Sequence, residues 1–174
     1  FPKCYIDEAR DAYFNLFKSG EYRKENGNWI NIKNHEDAHG CNNHPSLNFL
    51  NTDQFLKIIK SKKLNDLSSI LLKTEKSILS PRMIVRSFSR LSPRCTYAHR
   101  DKEYFQSSNS RNVITCWIPL GPVSKLHGQL IYLKDSHKKE SLVDNFVKKE
   151  KIISKDLDQI SKKLNLDWIR PIIK

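Results

Sequence analysis

The sequence predicts a mainly β fold with flanking helices, and two patterns support this prediction. Between residues 82 and 133, short β-prone apolar runs alternate with turn residues, which is typical of a barrel or a sandwich. On either side of this region, apolar residues recur at helical spacing. The 174 residues are enough for one domain with a sizeable core. We predict a single domain with a helical part at 1–80, a β-core at 81–138 and a helical segment at 139–170.

The N-terminal part is predicted to be helical because its apolar residues share one helical face. That face ends before Gly20 and consists of Ile6, Ala9, Tyr13, Leu16 and Phe17. Residues 21–51 are rich in Asn, His and Gly and predict a long loop with short extended pieces. Thr52 is placed to cap a helix that runs to about Lys62, and a further helix is predicted between Leu64 and Leu71.

The β-core is predicted from three β-prone runs, which are Met83–Phe88, Val113–Ile118 and Gly128–Leu133. After Ser136 the sequence predicts helix again, with one apolar face formed by Leu157, Ile160 and Leu164. The strands that would complete a barrel are not in view. We therefore predict an incomplete core and a domain that continues beyond Lys174.

The charge balance is strongly basic, since 31 Lys and Arg against 19 Asp and Glu give a net charge of +12. Such a balance fits a nucleic acid or an anionic membrane surface. The basic residues are spread along the chain, however, and the abundant Lys, Ile and Asn all have A/T-rich codons. No apolar stretch approaches the roughly 20 residues that a membrane span needs. We therefore expect neither a nucleic-acid partner nor membrane insertion.

The four cysteines form no C-x-x-C pair and are scattered along the chain as Cys4, Cys41, Cys95 and Cys116. This scatter indicates reduced thiols and a cytoplasmic protein rather than a disulfide framework, although a single pairing stays open.

One metal motif is a formal H-E-x-x-H match at His35–His39. In a zinc protease the two His residues lie one helical turn apart and the Glu acts as general base, so the chemistry needs a helix. Asn34, Gly40 and Pro45 surround the motif and oppose a helix. We interpret it as a polar surface loop. A zinc protease site is the first alternative, and a weak metal site is the second, formed by His35, His39, Cys41 and His44.

A second metal motif is His99-Arg100-Asp101. Residues i and i+2 of a strand point to the same side, so His99 and Asp101 can converge on one metal ion. With a distant third ligand they would form the facial triad of non-heme Fe(II) oxygenases. Taken alone the motif is weak, because a His and an Asp at a strand end can equally form ion pairs with nearby Lys and Arg.

The order of the motifs that surround His99 makes this second site more specific. The aromatic pair Tyr104–Phe105 follows, then Val113–Leu120 with its Trp, then the Gly128–Lys138 hairpin. This order resembles the phytanoyl-CoA dioxygenase family of Fe(II)/2-oxoglutarate oxygenases, most strongly over residues 82–139. The family pattern is H-x-D with an aromatic pair, a "v-x-x-W-x-x-L" strand and a "G-x-L-x-x-x-P-G-S-H-K" hairpin. The resemblance implies a double-stranded β-helix (jelly-roll, cupin-like) core.

The resemblance also implies roles for single residues. His99 and Asp101 match the first two iron ligands. Trp117 matches the tryptophan beside the 2-oxoglutarate pocket, and Arg100 stands where relatives often have a Gln that contacts this co-substrate. Tyr104–Phe105 matches the pair that lines the pocket mouth, with ordinary core packing as the alternative.

The third iron ligand is expected from the resemblance as a His beyond Lys174, followed by an Arg that binds the co-substrate. In relatives it belongs to a later "G-D-x-x-x-F…H…N" segment, which these residues do not contain. His137 matches the His of the hairpin motif, which lies in an entrance loop of relatives. We keep His137 only as a substitute for the third ligand.

The function that follows from the resemblance is hydroxylation of a small-molecule substrate, with Fe(II), 2-oxoglutarate and O2 as cofactor and co-substrates. The sequence does not identify the substrate or the oligomeric state. The principal alternative is a non-catalytic β-barrel module that binds a small molecule and has lost the full iron site. The zinc protease and the nucleic-acid-binding domain are further alternatives.

Overall fold

Short helices, joined by irregular segments and two-stranded ladders, make up the described part of the chain. The computed structural model describes these residues: 2–18, 20–32, 38–39, 46–81, 83–87, 96–101, 113–123, 128–150 and 156–171. The chain divides into two compact units. Unit 1 comprises Phe1–Arg94 and Cys116–Pro122, and unit 2 comprises Cys95–Thr115 and Val123–Lys174.

Unit 1 contains four described helices and two described ladders. The helices are α1 (Lys3–Phe14), α2 (Ser46–Phe49), α3 (Asp53–Ile59) and α4 (Lys62–Leu72). The strands are β1 (Tyr22–Glu25), β2 (Asn28–Asn31), β3 (Ala38–His39) and β4 (Arg86–Ser87). Strand β1 pairs antiparallel with β2, and β3 pairs antiparallel with β4.

Side-chain caps define where α3 and α4 begin. The Thr52 hydroxyl accepts a hydrogen bond from the backbone N–H of Phe55 at 3.3 Å, which confirms the predicted cap. Ser61 caps α4 in the same way through the N–H of Leu64, at 3.4 Å. Helix α4 ends at Lys73, which has the left-handed conformation with φ of 53°.

The hairpin β1–β2 lies within the predicted long loop. Its two-residue turn is Asn26-Gly27, and both residues have positive φ, 48° and 79°. Asn-Gly is the residue pair that a tight hairpin of this kind favours, because both central positions need the left-handed region. The sequence therefore held a hairpin signal that the loop prediction did not use.

The core of unit 1 packs α1 against α2 and α3. Its buried members are Ala9, Tyr13, Phe17, Phe49 and Ile58. The Tyr13 ring meets the Phe49 ring edge to face, with centroids 5.5 Å apart. The periodicity that predicted the first helix therefore identifies residues that are buried here, while Phe49 came from a segment predicted as loop.

Asp11 of α1 connects this core to the hairpin. Its carboxylate accepts hydrogen bonds from Lys24 Nζ at 2.6 Å and from Trp29 Nε1 at 2.8 Å. The Trp29 ring also stacks on Phe14 of α1, with centroids 5.1 Å apart. The hydrogen bond from Lys24, followed by that from Trp29, lowers the pKa of Asp11 from its ordinary value.

Unit 2 contains two described helices and one ladder. Helices α5 (Glu140–Glu150) and α6 (Leu157–Leu164) follow β5 (Tyr132–Leu133), and β6 (Trp168–Ile169) returns to pair antiparallel with β5. The buried core consists of Leu133, Val143, Ile160 and Leu164. The apolar face predicted for the last helix therefore supplies two members of this core.

The predicted mainly β fold with a jelly-roll core is wrong for this structure, which is predominantly helical with small two-stranded ladders. Within the described residues, pairing is limited to Arg86–Ser87 of the first predicted strand and Tyr132–Leu133 of the third. Val113–Ile118 is irregular, and its residues are largely exposed. A β-prone run becomes a strand only where a partner strand supplies hydrogen bonds and cross-strand packing, so β-propensity overestimated the sheet.

Across the described ranges, no helix combines the length and the apolar character that crossing a membrane would require.

Ile58 and Ile70 form a matched pair for testing the unit 1 core. Both lie in helices, but Ile58 is 2% exposed and Ile70 is 72% exposed. We predict that Ile58→Ala lowers the free energy of unfolding by about 2–5 kcal/mol, because it leaves a cavity. Ile70→Ala should change it by no more than about 0.5 kcal/mol. Urea unfolding measures both, and equal effects would contradict this core.

Acid unfolding tests the Asp11 contacts. A folded-state pKa below the unfolded value means that Asp11 stabilises the fold above the unfolded pKa, near 4. This stabilisation is lost as the pH falls through the lowered folded-state pKa. We predict that Asp11→Asn makes the free energy of unfolding fall less steeply below about pH 4. Lys24→Gln should have a larger effect than Trp29→Phe, and an unchanged slope in all three variants would refute the assignment.

Candidate metal site

The His99–Asp101 segment lies against α5 in unit 2. Ala98 is partly buried and packs against the core that contains Val143. Two residues later, Arg100 Nη1 donates a hydrogen bond to Asp144 Oδ1 of α5 at 2.5 Å. Ala98 and Arg100 therefore attach the segment to the helix and its core.

His99 and Asp101 are brought together by the same segment. His99 Nε2 lies 3.3 Å from Asp101 Oδ1, and both side chains are partly accessible to solvent. Residue 98 thus contacts the core, residue 100 contacts α5, and residues 99 and 101 contact each other. The sequence predicted this convergence for a strand, whereas His99 and Arg100 are irregular here and Asp101 lies in a 3-10 turn.

The backbone carbonyl of Tyr97 determines which nitrogen of His99 carries a proton. His99 Nδ1 lies 2.6 Å from the Tyr97 oxygen, and a carbonyl can only accept, so Nδ1 donates. In the neutral ring Nε2 then presents its lone pair. Ligating histidines usually donate their other ring N–H to a carbonyl or a carboxylate in this way.

This arrangement fits a metal ion. With a neutral His99 ring, the atoms 3.3 Å apart are two acceptors, a ring nitrogen and a carboxylate oxygen. A cation between two such atoms would offset their repulsion, and ligand bonds of about 2.1 Å would let both reach one ion. With a protonated ring, the same contact is an ion pair, which is the alternative that the sequence left open. Imidazole and carboxylate together suit iron.

Trp117 lies in the irregular segment of unit 1 and is exposed. Its neighbour Cys116 is also exposed as a residue, but partial burial of the thiol raises its pKa. Assignment of Trp117 to the co-substrate stays a prediction. For Arg100, the other residue assigned to the co-substrate, the contact that the structure shows is the one with Asp144.

His137 is exposed in a short 3-10 turn at Ser136–Lys138. The turn follows Asp135, which has φ of 59° and an ion pair with Lys138 at 2.9 Å. The hydrogen bond from Lys138 lowers the pKa of Asp135. Asp135 stands where the family motif has Gly, and it takes the left-handed conformation that Gly adopts without strain. The altered hairpin therefore keeps a backbone that the motif requires.

The third ligand stays a prediction. Within the described ranges, no group of three or more His, Cys, Asp or Glu is placed to hold one metal ion. The predicted pocket-mouth pair Tyr104–Phe105 lies outside the described residues. His35 and His44 lie outside them too, but Ala38–His39 is a strand, which opposes the helix that a zinc protease needs.

Two contacts of this site were missed from the sequence, namely the Tyr97 carbonyl and Asp144. Every residue has a backbone carbonyl, so the sequence does not indicate which carbonyl accepts a hydrogen bond. Asp144 directly follows the buried Val143, and the same alternation that predicted the metal ligands puts Arg100 on the opposite side. The alternation therefore indicated that Arg100 contacts another element, but it did not identify α5 as that element.

The donor pair is of the kind used by mononuclear metal oxygenases, in which a His and a carboxylate come from one segment. A family model described as phytanoyl-CoA dioxygenase (PhyH) matches residues 6–164. The chain therefore belongs to the phytanoyl-CoA dioxygenase family, whose members are Fe(II)/2-oxoglutarate-dependent oxygenases acting on small molecules. Neither a curated protein nor a solved structure gives a significant match.

Metal titration tests the donor pair. We predict that His99→Ala and Asp101→Ala each weaken Co(II) binding, a spectroscopic substitute for Fe(II), by at least about tenfold. Asp158→Ala serves as the control, because Asp158 is an exposed carboxylate of α6 in the same unit. A comparable loss in His137→Ala would identify His137 as the third ligand. Unchanged affinity in both His99→Ala and Asp101→Ala would leave only the ion-pair interpretation.

Proposed function

We propose that this chain is a non-heme Fe(II)/2-oxoglutarate-dependent dioxygenase that hydroxylates a small-molecule substrate, with His99 and Asp101 as iron ligands. The observation that carries the proposal is the 3.3 Å separation of His99 Nε2 and Asp101 Oδ1 in a member of the phytanoyl-CoA dioxygenase family. Family membership supports this class of chemistry, and the proximity of His99 and Asp101 supports the proposed location of the iron site.

The residues of the segment have distinct roles in this proposal. His99 Nε2 and Asp101 Oδ1 would hold the iron, and the Tyr97 carbonyl keeps the imidazole in the tautomer that leaves Nε2 available. When bound, iron supplies the redox chemistry that couples oxidation of 2-oxoglutarate by O2 to hydroxylation of the substrate. A third ligand would complete the set, and we propose that it is a further His, with His137 as its substitute.

Trp117 and Arg100 are the proposed contacts of 2-oxoglutarate. An exposed indole ring offers a flat apolar face to the carbon chain of the co-substrate. Arg100 has five N–H donors, and the hydrogen bond to Asp144 occupies Nη1. A contact between Arg100 and the co-substrate would therefore have to use its other donors.

The substrate is proposed only as a small molecule. The net charge of +12 is compatible with an anionic substrate, but it is spread over the whole chain and does not select one. A cytoplasmic location is likewise a proposal. It is supported by the cysteine pattern and by the free thiols of Cys4 and Cys116.

Turnover of 2-oxoglutarate without substrate tests the enzymatic function. We predict that the full-length wild-type protein forms succinate when 2-oxoglutarate, Fe(II) and O2 are supplied. His99→Ala and Asp101→Ala should abolish this turnover, because each removes an iron ligand, while Asp158→Asn should retain it. Undiminished turnover in either ligand variant would exclude the assignment. Metal binding without turnover in the wild-type protein would favour a non-catalytic binding module.

A further inference from the structure

The Arg100–Asp144 ion pair connects two segments that are distant in the sequence. It joins residues 44 positions apart, at a separation of 2.5 Å between Nη1 and Oδ1. The two side chains are only 22% and 38% exposed. A pair in partial burial is less screened by water and salt than a surface pair, so it can hold geometry as well as charge.

Both residues of this ion pair lie close in sequence to residues that pack in the same apolar core. Val143 precedes Asp144 on α5 and is buried among Leu133, Ile160 and Leu164. Ala98, two residues before Arg100, packs against the same cluster. One apolar contact to this core and one ionic contact to α5 therefore attach two nearby positions of the segment, Ala98 and Arg100.

Arg100 is flanked by the two proposed iron ligands. Ala98 packs against this core and Arg100 binds Asp144 of α5, while the side chains of His99 and Asp101 approach each other at 3.3 Å. A rotation of the backbone at Arg100 would move both ligands at once. Ligand sets tolerate small errors of this kind poorly, because metal affinity depends on donors being held in place before the ion binds.

We propose that Asp144 is a positioning residue of the metal site, which acts through Arg100 to hold His99 and Asp101 in their ligand geometry. This inference rests on the proposed function, since it assumes that these two residues bind a metal. It assigns α5 a role in the site even though Asp144 itself touches neither proposed ligand in the described contacts.

A double-mutant cycle on metal affinity separates positioning from other effects. Asp144→Asn keeps the shape of the side chain and should weaken Co(II) binding to the full chain by about tenfold, whereas Asp144→Glu should retain affinity. In the Arg100→Gln background, Asp144→Asn should have no further effect, because the residue through which it acts is gone. Asp158→Asn is the matched control and should leave affinity unchanged.

Amide hydrogen exchange gives a second readout that needs no metal. In the metal-free protein, Asp144→Asn should speed exchange in a peptide covering residues 96–101, while Asp158→Asn should not. A general loss of stability would instead speed exchange throughout unit 2, including α6, and would show a structural role only.

The outcomes distinguish the inference from the proposed function. If wild-type Co(II) binding does not depend on His99, the proposed function fails and the inference fails with it. If binding depends on His99 but Asp144→Asn changes neither affinity nor exchange, only the inference is overturned. An equal loss of affinity from Asp144→Asn in both Arg100 backgrounds would also overturn it, since Asp144 would then act by its charge across space.

Discussion

Burial of Val143, Leu133, Ile160 and Leu164 is the constraint on which the candidate site depends. This cluster holds α5 in place, and α5 carries Asp144, whose carboxylate accepts a hydrogen bond from Arg100. The apolar contact of Ala98 with the same cluster sets the register of the segment. Within the described residues, Ala98 and Arg100 therefore attach the segment of the proposed ligands His99 and Asp101 to this apolar core and to α5.

The helices of this fold were predictable where apolar residues recur at helical spacing. The N-terminal helix had a clear apolar face, and α3 had both an apolar face and a capping Thr52. The last helix likewise placed Ile160 and Leu164 in the core. The sheet was not predictable in this way, because strand formation depends on partners that are distant in sequence. Val113–Ile118 has high β-propensity and is nevertheless irregular.

The candidate site was predictable to the extent that it is local. The H-x-D spacing predicted that His99 and Asp101 converge, and their side chains lie 3.3 Å apart although the segment is not a strand. The partner helix was not predictable, because nothing in the sequence relates Arg100 to a carboxylate 44 residues later. The order of motifs along the chain identified the family, which the match over residues 6–164 confirms. The order of the family's motifs along the chain can be recognised even where strand prediction fails, because a motif is recognised by residue identity rather than by strand pairing.

Asp144 also affects the local charge of the proposed metal-binding segment. Arg100 lies between the two proposed ligands in the sequence, so it adds a positively charged guanidinium there. The chain as a whole carries a net charge of +12. An unpaired cation at this position would repel a divalent metal ion, and partial burial would weaken the screening of that repulsion. Pairing Arg100 with Asp144 offsets its charge and directs it to α5. The same contact that holds the geometry of the segment therefore also makes the local field compatible with a bound cation.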